Sequence, residues 1–141
     1  MIWPFRVRAA NASRRVAPAR VLVIDDEPLI ADLVCTVLED EGYELVCLSS
    51  AAEALHEIEE RDNFDAVITD IDLGGPVDGF ELARRARRHR PDAAVIYISG
   101  AAAARVQTER VAGSRFVGKP FKPHAIAEIL RSTLPPGVRP A

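Results

Sequence analysis

Apolar residues along the chain fall into short unbroken runs, and each run closes on a charged or small polar residue. Val21-Leu22-Val23-Ile24 stops at Asp25-Asp26, Ala66-Val67-Ile68-Thr69 at Asp70, Ala94 to Ile98 at Ser99, and Phe116-Val117-Gly118 at Lys119-Pro120. Leu45 to Leu48 is a further run of the same kind. Continuous apolar runs of this length are the mark of strands covered on both faces. Between the runs the apolar spacing becomes helical. Pro28 suits a first helical turn, where its missing N–H costs nothing. After it Ile30, Leu33, Val34, Val37 and Glu41 are expected on one face with Leu38 beside them, and Gly42 stops the helix. Ser50-Ala51-Ala52-Glu53 has capping-box spacing ahead of Ala54, Leu55 and Ile58.

Further helices are expected from about Phe80 to His89, weakly from about 102 to 111, and from about Pro123 to Thr133, where Pro135-Pro136 follows. The alternation predicts an α/β fold, a five-stranded parallel sheet doubly wound by five helices. In such a sheet ligands bind outside the carboxyl ends of the strands. Those ends hold Asp25, Asp26, Asp70, Ser99 and Lys119.

Length and composition change this picture little. A chain of 141 residues with 48% apolar content makes one domain with its own core. No stretch approaches the roughly 20 apolar residues of a membrane span. A net charge of -3 gives no pull toward nucleic acid or membrane. Cys35 and Cys47 form no metal-ligand spacing and are expected as reduced thiols of a cytoplasmic protein. Charge is uneven, however. Arg6, Arg8, Arg14, Arg15 and Arg20 crowd the start, which has no acid. Residues 1–19 are expected to be a flexible basic extension; an arm packing Trp3 and Phe5 on the body, or an organelle-type presequence, are the other readings. The domain is expected over 20–134, with a short tail at 135–141. The cluster Arg84-Arg85-Ala86-Arg87-Arg88-His89-Arg90 is expected to be a solvated helix face. Contact with an acidic partner or a second subunit is the alternative, since no nucleic-acid-grasping motif accompanies it.

Carboxylates that converge on one rim repel one another, so they share protons or hold a cation. All-oxygen ligands with no His or Cys nearby favour Mg²⁺. A metal-held carboxylate beside a lysine and a hydroxyl suits phosphoryl transfer, with Asp70 as nucleophile giving an aspartyl phosphate. Lys119 would neutralise phosphoryl oxygens, and Ser99 would donate a hydrogen bond to one of them. Lys119 and Lys122 are the only lysines in a chain that otherwise uses arginine, in keeping with a need for a compact ammonium at that strand end. Singly, each residue has an ordinary structural explanation, a helix cap, a turn or a common Lys-Pro. Their joint order does not.

Through Val21-Leu22-Val23-Ile24-Asp25-Asp26-Glu27-Pro28, Asp70, Asp78-Gly79, Ser99 and Lys119-Pro120-Phe121, the chain resembles the receiver domain of two-component response regulators, from about Arg20 to Thr133. The resemblance implies a flavodoxin-like strand order 2-1-3-4-5. It implies phosphoryl transfer to Asp70 from a histidine kinase or phosphotransfer protein, with no enzyme turnover beyond self-phosphorylation and autodephosphorylation. It also implies Mg²⁺ held by Asp25, Asp26, Asp70 and the backbone carbonyl of Asp72. Ser99 and Lys119 would be the hydroxyl and lysine that answer the phosphate, Phe116 the aromatic switch, and the Lys119-Pro120 bond cis. Partners would dock on the face of helix 4, strand 5 and helix 5. Such a protein is expected in the cytoplasm. The few residues after Lys119-Pro120 lead to the expectation of a stand-alone receiver that relays phosphate or switches protein partners, a second copy among them.

Asp70-Ile71-Asp72-Leu73-Gly74-Gly75-Pro76-Val77-Asp78-Gly79 departs from the family in being one residue longer than the common loop. Gly100 stands where a small residue, often alanine, usually follows the hydroxyl. Asp72 adds a carboxylate close to the line of attack. Two other classes compete. A phosphorylation-independent binding module would keep the fold and lose the chemistry. A haloacid-dehalogenase-like phosphatase would use Asp70-Ile71-Asp72 as its nucleophile motif, although that motif belongs on a first strand and here lies on the third.

Overall fold

The computed structural model describes residues 17–101 and 103–141. Within them β1 (Arg20–Ile24), α1 (Pro28–Asp40), β2 (Glu44–Leu48), α2 (Ala51–His56), β3 (Ala66–Asp70), α3 (Gly79–His89), β4 (Ala94–Ser99), α4 (Ala103–Glu109), β5 (Arg115–Gly118) and α5 (Pro123–Thr133) alternate without exception. The sheet is five-stranded in the order β2-β1-β3-β4-β5, with every pair parallel. Most of the basic extension expected over residues 1–19, Trp3 and Phe5 included, lies outside the described residues.

The pleat sorts strand residues between two faces. Val21, Val23, Ala66, Ile68, Ala94 and Ile96 point to one side, where Val34, Cys35 and Leu38 of α1 and Ile126, Ala127 and Leu130 of α5 cover them. Leu22, Ile24 and Val67 point to the other, under Ala54 and Ile58 of the α2 segment and Leu82 and Ala86 of α3. Farther along that second face Val95 and Tyr97 meet Phe80, Ala83 and, from α4, Val106. Val106 is the buried anchor of α4, and Ala104 before it is exposed. The helix ends at Glu109, short of the expected 111.

Local chemistry differs from expectation in three places. Leu33 is exposed, although it was expected on the α1 core face. Each residue turns the helix by about 100°, so the stripe through Ile30, Val34, Val37 and Leu38 leaves Leu33 on the shoulder. The capping box before α2 is shifted. Ser50 Oγ accepts the Glu53 N–H at 3.2 Å, but Glu53 reaches past Ser50 to accept the Ser49 N–H at 2.9 Å. Thirdly, the two cysteines are not free thiols. A disulfide joins Cys35 of α1 to Cys47 of β2, with their Cα atoms 6.8 Å apart. Cysteine usage speaks for reduced thiols; the return of α1 over the β2 edge brings the pair together, and no sequence spacing encodes that return.

Beyond α2 the chain widens into one π turn, Glu57–Arg61, closed by the Asp62 N–H bonding to the Glu57 carbonyl at 3.0 Å. The residues after α5 fold back across the amino ends of the strands. Val138 packs on the core, the Ala19 N–H donates to the Arg139 carbonyl, and the Ala141 N–H donates to the Gly42 carbonyl, both at 2.9 Å. Gly42 stops α1 as expected, at φ +99°, and a Cβ there would lie 2.7 Å from the Ala141 carbonyl oxygen.

The arginine cluster of α3 is occupied by acids. Glu81 bridges Arg84 at 3.1 Å and Arg85 at 2.9 Å, Glu59 takes Arg85 at 2.9 Å, and Asp62 takes Arg90 at 3.1 Å. Arg84, Arg85 and Arg90 of the face expected to be solvated are thus paired within the chain. No described helix is long and apolar enough to cross a membrane.

Candidate functional site

Asp25 is the first residue past β1, and its amide donates to the Leu48 carbonyl of β2 at 3.2 Å. That bond seats the carboxylate over the sheet end. Its Oδ1 accepts the Glu27 N–H at 2.8 Å. Its Oδ2 is buried without a hydrogen-bond donor and faces the Lys119 ammonium at 3.4 Å. Burial is the main reason that the Asp25 pKa lies above the ordinary carboxylate range; the Glu27 amide and the Lys119 charge oppose the rise.

Asp70 ends β3 and is 6% exposed. Oδ1 accepts the Asp72 N–H at 3.3 Å, and Oδ2 accepts from Lys119 Nζ at 3.3 Å. Burial first, and the Asp25 charge second, raise its pKa to about 6 against the pull of Lys119. The loop behind it is pressed close. The Gly79 N–H donates to the Ile71 carbonyl at 2.8 Å, and a Cβ on Gly79 would sit 2.4 Å from the Asp70 carbonyl oxygen. Only glycine lets α3 begin this near the strand end. Asp78 caps α3 by accepting the Glu81 N–H at 3.0 Å, and its other oxygen takes Arg105 of α4 at 2.9 Å.

Ser99 closes β4, buried, with Oγ accepting the Ala101 N–H at 3.1 Å. The Ser99 carbonyl in turn accepts the Lys119 N–H at 2.9 Å, so hydroxyl and ammonium come from adjoining strand ends. The Lys119-Pro120 bond is cis. Lys119 Nζ reaches Asp25, Asp70 and, nearest at 2.7 Å, Glu27. Burial alone would lower the lysine pKa; the Glu27 hydrogen bond and the Asp25 and Asp70 charges outweigh it and hold the ammonium above its ordinary value.

The structure thus gathers Asp25, Asp26, Asp70 and Lys119, with Ser99 one strand away. One carboxylate oxygen from each of Asp25, Asp26 and Asp70 lies within 4.8 Å of the others. Oxygen ligands at that spacing, with a buried Asp25 oxygen lacking a donor, fit a hard divalent cation. Asp72 was expected to add a carboxylate close to the line of attack, but it is exposed and its carboxylate is outside this group; the resemblance gives only its backbone carbonyl to the cation. Phe116 is half-buried beside the cluster of Ile71, Phe80, Tyr97 and Val106. Two contacts escaped the sequence reading. Glu27 had stood only as part of the Asp25-Asp26-Glu27-Pro28 motif, and its acid beside the pair was the available clue. The Asp78–Arg105 pair spans 27 residues, and no local pattern could have revealed it.

A doubly wound sheet with a three-carboxylate pocket and a lysine at its carboxyl rim fits the class of small signalling domains whose acidic pocket suits Mg²⁺ and phosphorylation. The family model described as the response regulator receiver domain matches residues 21–131, and the chain belongs to that family. Members are signalling domains rather than catalytic enzymes; they bind Mg²⁺ at the acidic pocket and interact with histidine kinases or phosphotransfer proteins. The chain is 33% identical over 116 residues to the transcriptional regulatory protein TcrA of Mycobacterium tuberculosis, covering 79% of this chain and 44% of that one. It therefore spans less than half the length of that relative. A response regulator receiver protein from Sinorhizobium medicae superimposes with a TM-score of 0.79 at 30% identity, covering 82% of this chain and 94% of the other. The response regulator TrrA of Thermotoga maritima, solved in complex with Mg²⁺-BeF, gives 0.70 at 30% identity, covering 82% and 99%.

Proposed function

We propose that this receiver domain accepts a phosphoryl group on Asp70 from a phosphohistidine of a kinase or phosphotransfer protein. The observation that carries the reading is the buried Asp70 carboxylate, placed between Lys119 at 3.3 Å and two further acids that can share a cation with it. Asp25, Asp26, Asp70 and the Asp72 carbonyl would hold Mg²⁺, which supplies positive charge against the phosphoryl oxygens.

A carboxylate oxygen of Asp70 forms the new bond to phosphorus as the phosphorus–nitrogen bond breaks, and the released imidazole takes its proton from solvent. Lys119 exchanges a carboxylate partner for a phosphoryl oxygen. Ser99 gives up its Oγ contact with the Ala101 amide and turns its hydroxyl toward the phosphoryl group. Phe116 packs inward behind it, beside Tyr97 and Val106 of the α4 cluster, and this biases a pre-existing equilibrium toward the partner-binding state. Partners then read the face of α4, β5 and α5, in the cytoplasm where phosphohistidine donors act.

Incubation with acetyl phosphate and Mg²⁺ followed by intact mass tests the assignment. A phosphoryl adduct on the wild type and none on Asp70→Asn is expected. An adduct of wild-type yield on Asp70→Asn would place the acceptor elsewhere. No adduct on either protein, from acetyl phosphate or from a phosphohistidine donor, would favour the phosphorylation-independent binding module.

A further inference from the structure

Glu27 occupies the N-cap position of α1, yet its side chain caps nothing. It reaches instead across the rim to Lys119, at 2.7 Å the shortest of the three contacts that ammonium makes with the acids of the site; Asp25 and Asp70 stand at 3.4 and 3.3 Å. Glu27 is also on the solvent side, its side chain 60% exposed against 8% for Asp70 and 2% for Asp25. The ammonium is therefore drawn outward, away from the acceptor carboxylate, by a residue with no part in the cation pocket.

We propose that Glu27 is a positioning residue that restrains Lys119 in the unphosphorylated protein and so slows phosphoryl transfer to Asp70. This rests on the reading of Asp70 as the acceptor. In this reading Glu27 is the carboxylate partner that Lys119 exchanges for a phosphoryl oxygen, so whatever that pair contributes is added to the barrier. An exposed ion pair is worth about 0.2–1 kcal/mol, which converts to an acceleration of up to about fivefold when the pair is removed. The geometry also separates restraint from simple repulsion of an anionic donor. Aspartate keeps the charge but is one methylene shorter, and cannot span the same gap without moving the helix start.

The test uses the whole chain with acetyl phosphate and Mg²⁺, where the Asp70 carboxylate forms an acyl phosphate and acetate leaves. Initial rates of adduct formation are compared for wild type, Glu27→Gln, Glu27→Asp, Lys119→Ala and the Glu27→Gln/Lys119→Ala double variant. Glu27→Gln and Glu27→Asp are both expected to label about two- to fivefold faster than wild type. In the Lys119→Ala background, slower throughout, Glu27→Gln is expected to change nothing. An equal acceleration in both backgrounds, or none in either, overturns the proposal. Zero-length carbodiimide coupling adds a readout free of turnover. A Glu27–Lys119 isopeptide should form in the unphosphorylated chain and decline once Asp70 is loaded, and its absence in the unphosphorylated chain also overturns the proposal. A wild type that takes no adduct brings down the acceptor reading itself. A wild type that labels at the same rate as Glu27→Gln brings down only the restraint.

Discussion

The two rims of the sheet bury charge in opposite ways. At the amino rim charges are matched. Arg20 meets Glu44 at 2.8 Å with both side chains about nine-tenths covered, its amide donates to Asp65 at 2.8 Å, and Arg90 meets Asp62. At the carboxyl rim Asp25, Asp70 and Glu27 share Lys119 with Asp26 close by, and the pKa values of Asp25 and Asp70 are both pushed up. Matched charge holds a fold together. An unmatched excess costs stability and persists where something from outside is to complete it.

The contrast can be broken most severely at the amino rim. Glu44→Ala should remove the buried carboxylate that meets the Arg20 guanidinium at 2.8 Å and lower unfolding stability by about 2–4 kcal/mol, while the Asp70 labelling rate in the remaining folded protein stays at the wild-type level. Urea unfolding and the acetyl phosphate assay check both halves.

At the carboxyl rim the sign reverses. The folded state holds a proton on Asp70 up to about pH 6, whereas an unfolded aspartate releases it near 3.8. Ionised Asp70 therefore opposes folding at neutral pH, and that cost fades as pH falls through 6. In metal-free buffer Asp70→Asn should raise stability at pH 7 by about 1–3 kcal/mol, with the gain shrinking toward pH 4. A constant gain across that range would assign it to something other than the charge.

Reducing the Cys35–Cys47 bond should remove about 2–3 kcal/mol, the chain-entropy scale for a closed loop of this size. Chemical denaturation with and without a thiol reductant, alongside a free-thiol count, measures it. The smallest effect is expected at the pair that ties α4 to the cap of α3. Arg105→Ala should cost less than about 1 kcal/mol of stability, since the pair is half-exposed, yet raise amide exchange in α4.

Much of the site could be read along the chain because each of its residues directly follows or ends an apolar strand run. Asp25, Asp70, Ser99 and Lys119 needed only the rule that parallel strands present their carboxyl ends together. The parallel sheet emerged from the same alternation, whereas its order, β2-β1-β3-β4-β5, came only from the resemblance. What stayed hidden depends on approach between distant segments. Leu33 differs from Val34 only by rotation about α1. Cys35 and Cys47 meet because a helix returns over an edge strand. The pair between Asp78 and Arg105 exists because the α3 cap faces α4. Glu27 stood only as part of the Asp25-Asp26-Glu27-Pro28 motif, and only the lysine 92 residues away shows where its side chain goes.

The backbone bond between Ala19 and Arg139 sets the two described ends of the domain side by side, at the rim opposite Asp70. A segment added before or after the domain would leave from that same edge, about the length of one strand, some 17 Å, from the chemistry. The domain can therefore be inserted into a loop of another protein, or permuted, without crowding the pocket. News of what happens at Asp70 would have to travel the full height of the sheet to reach whatever is joined there.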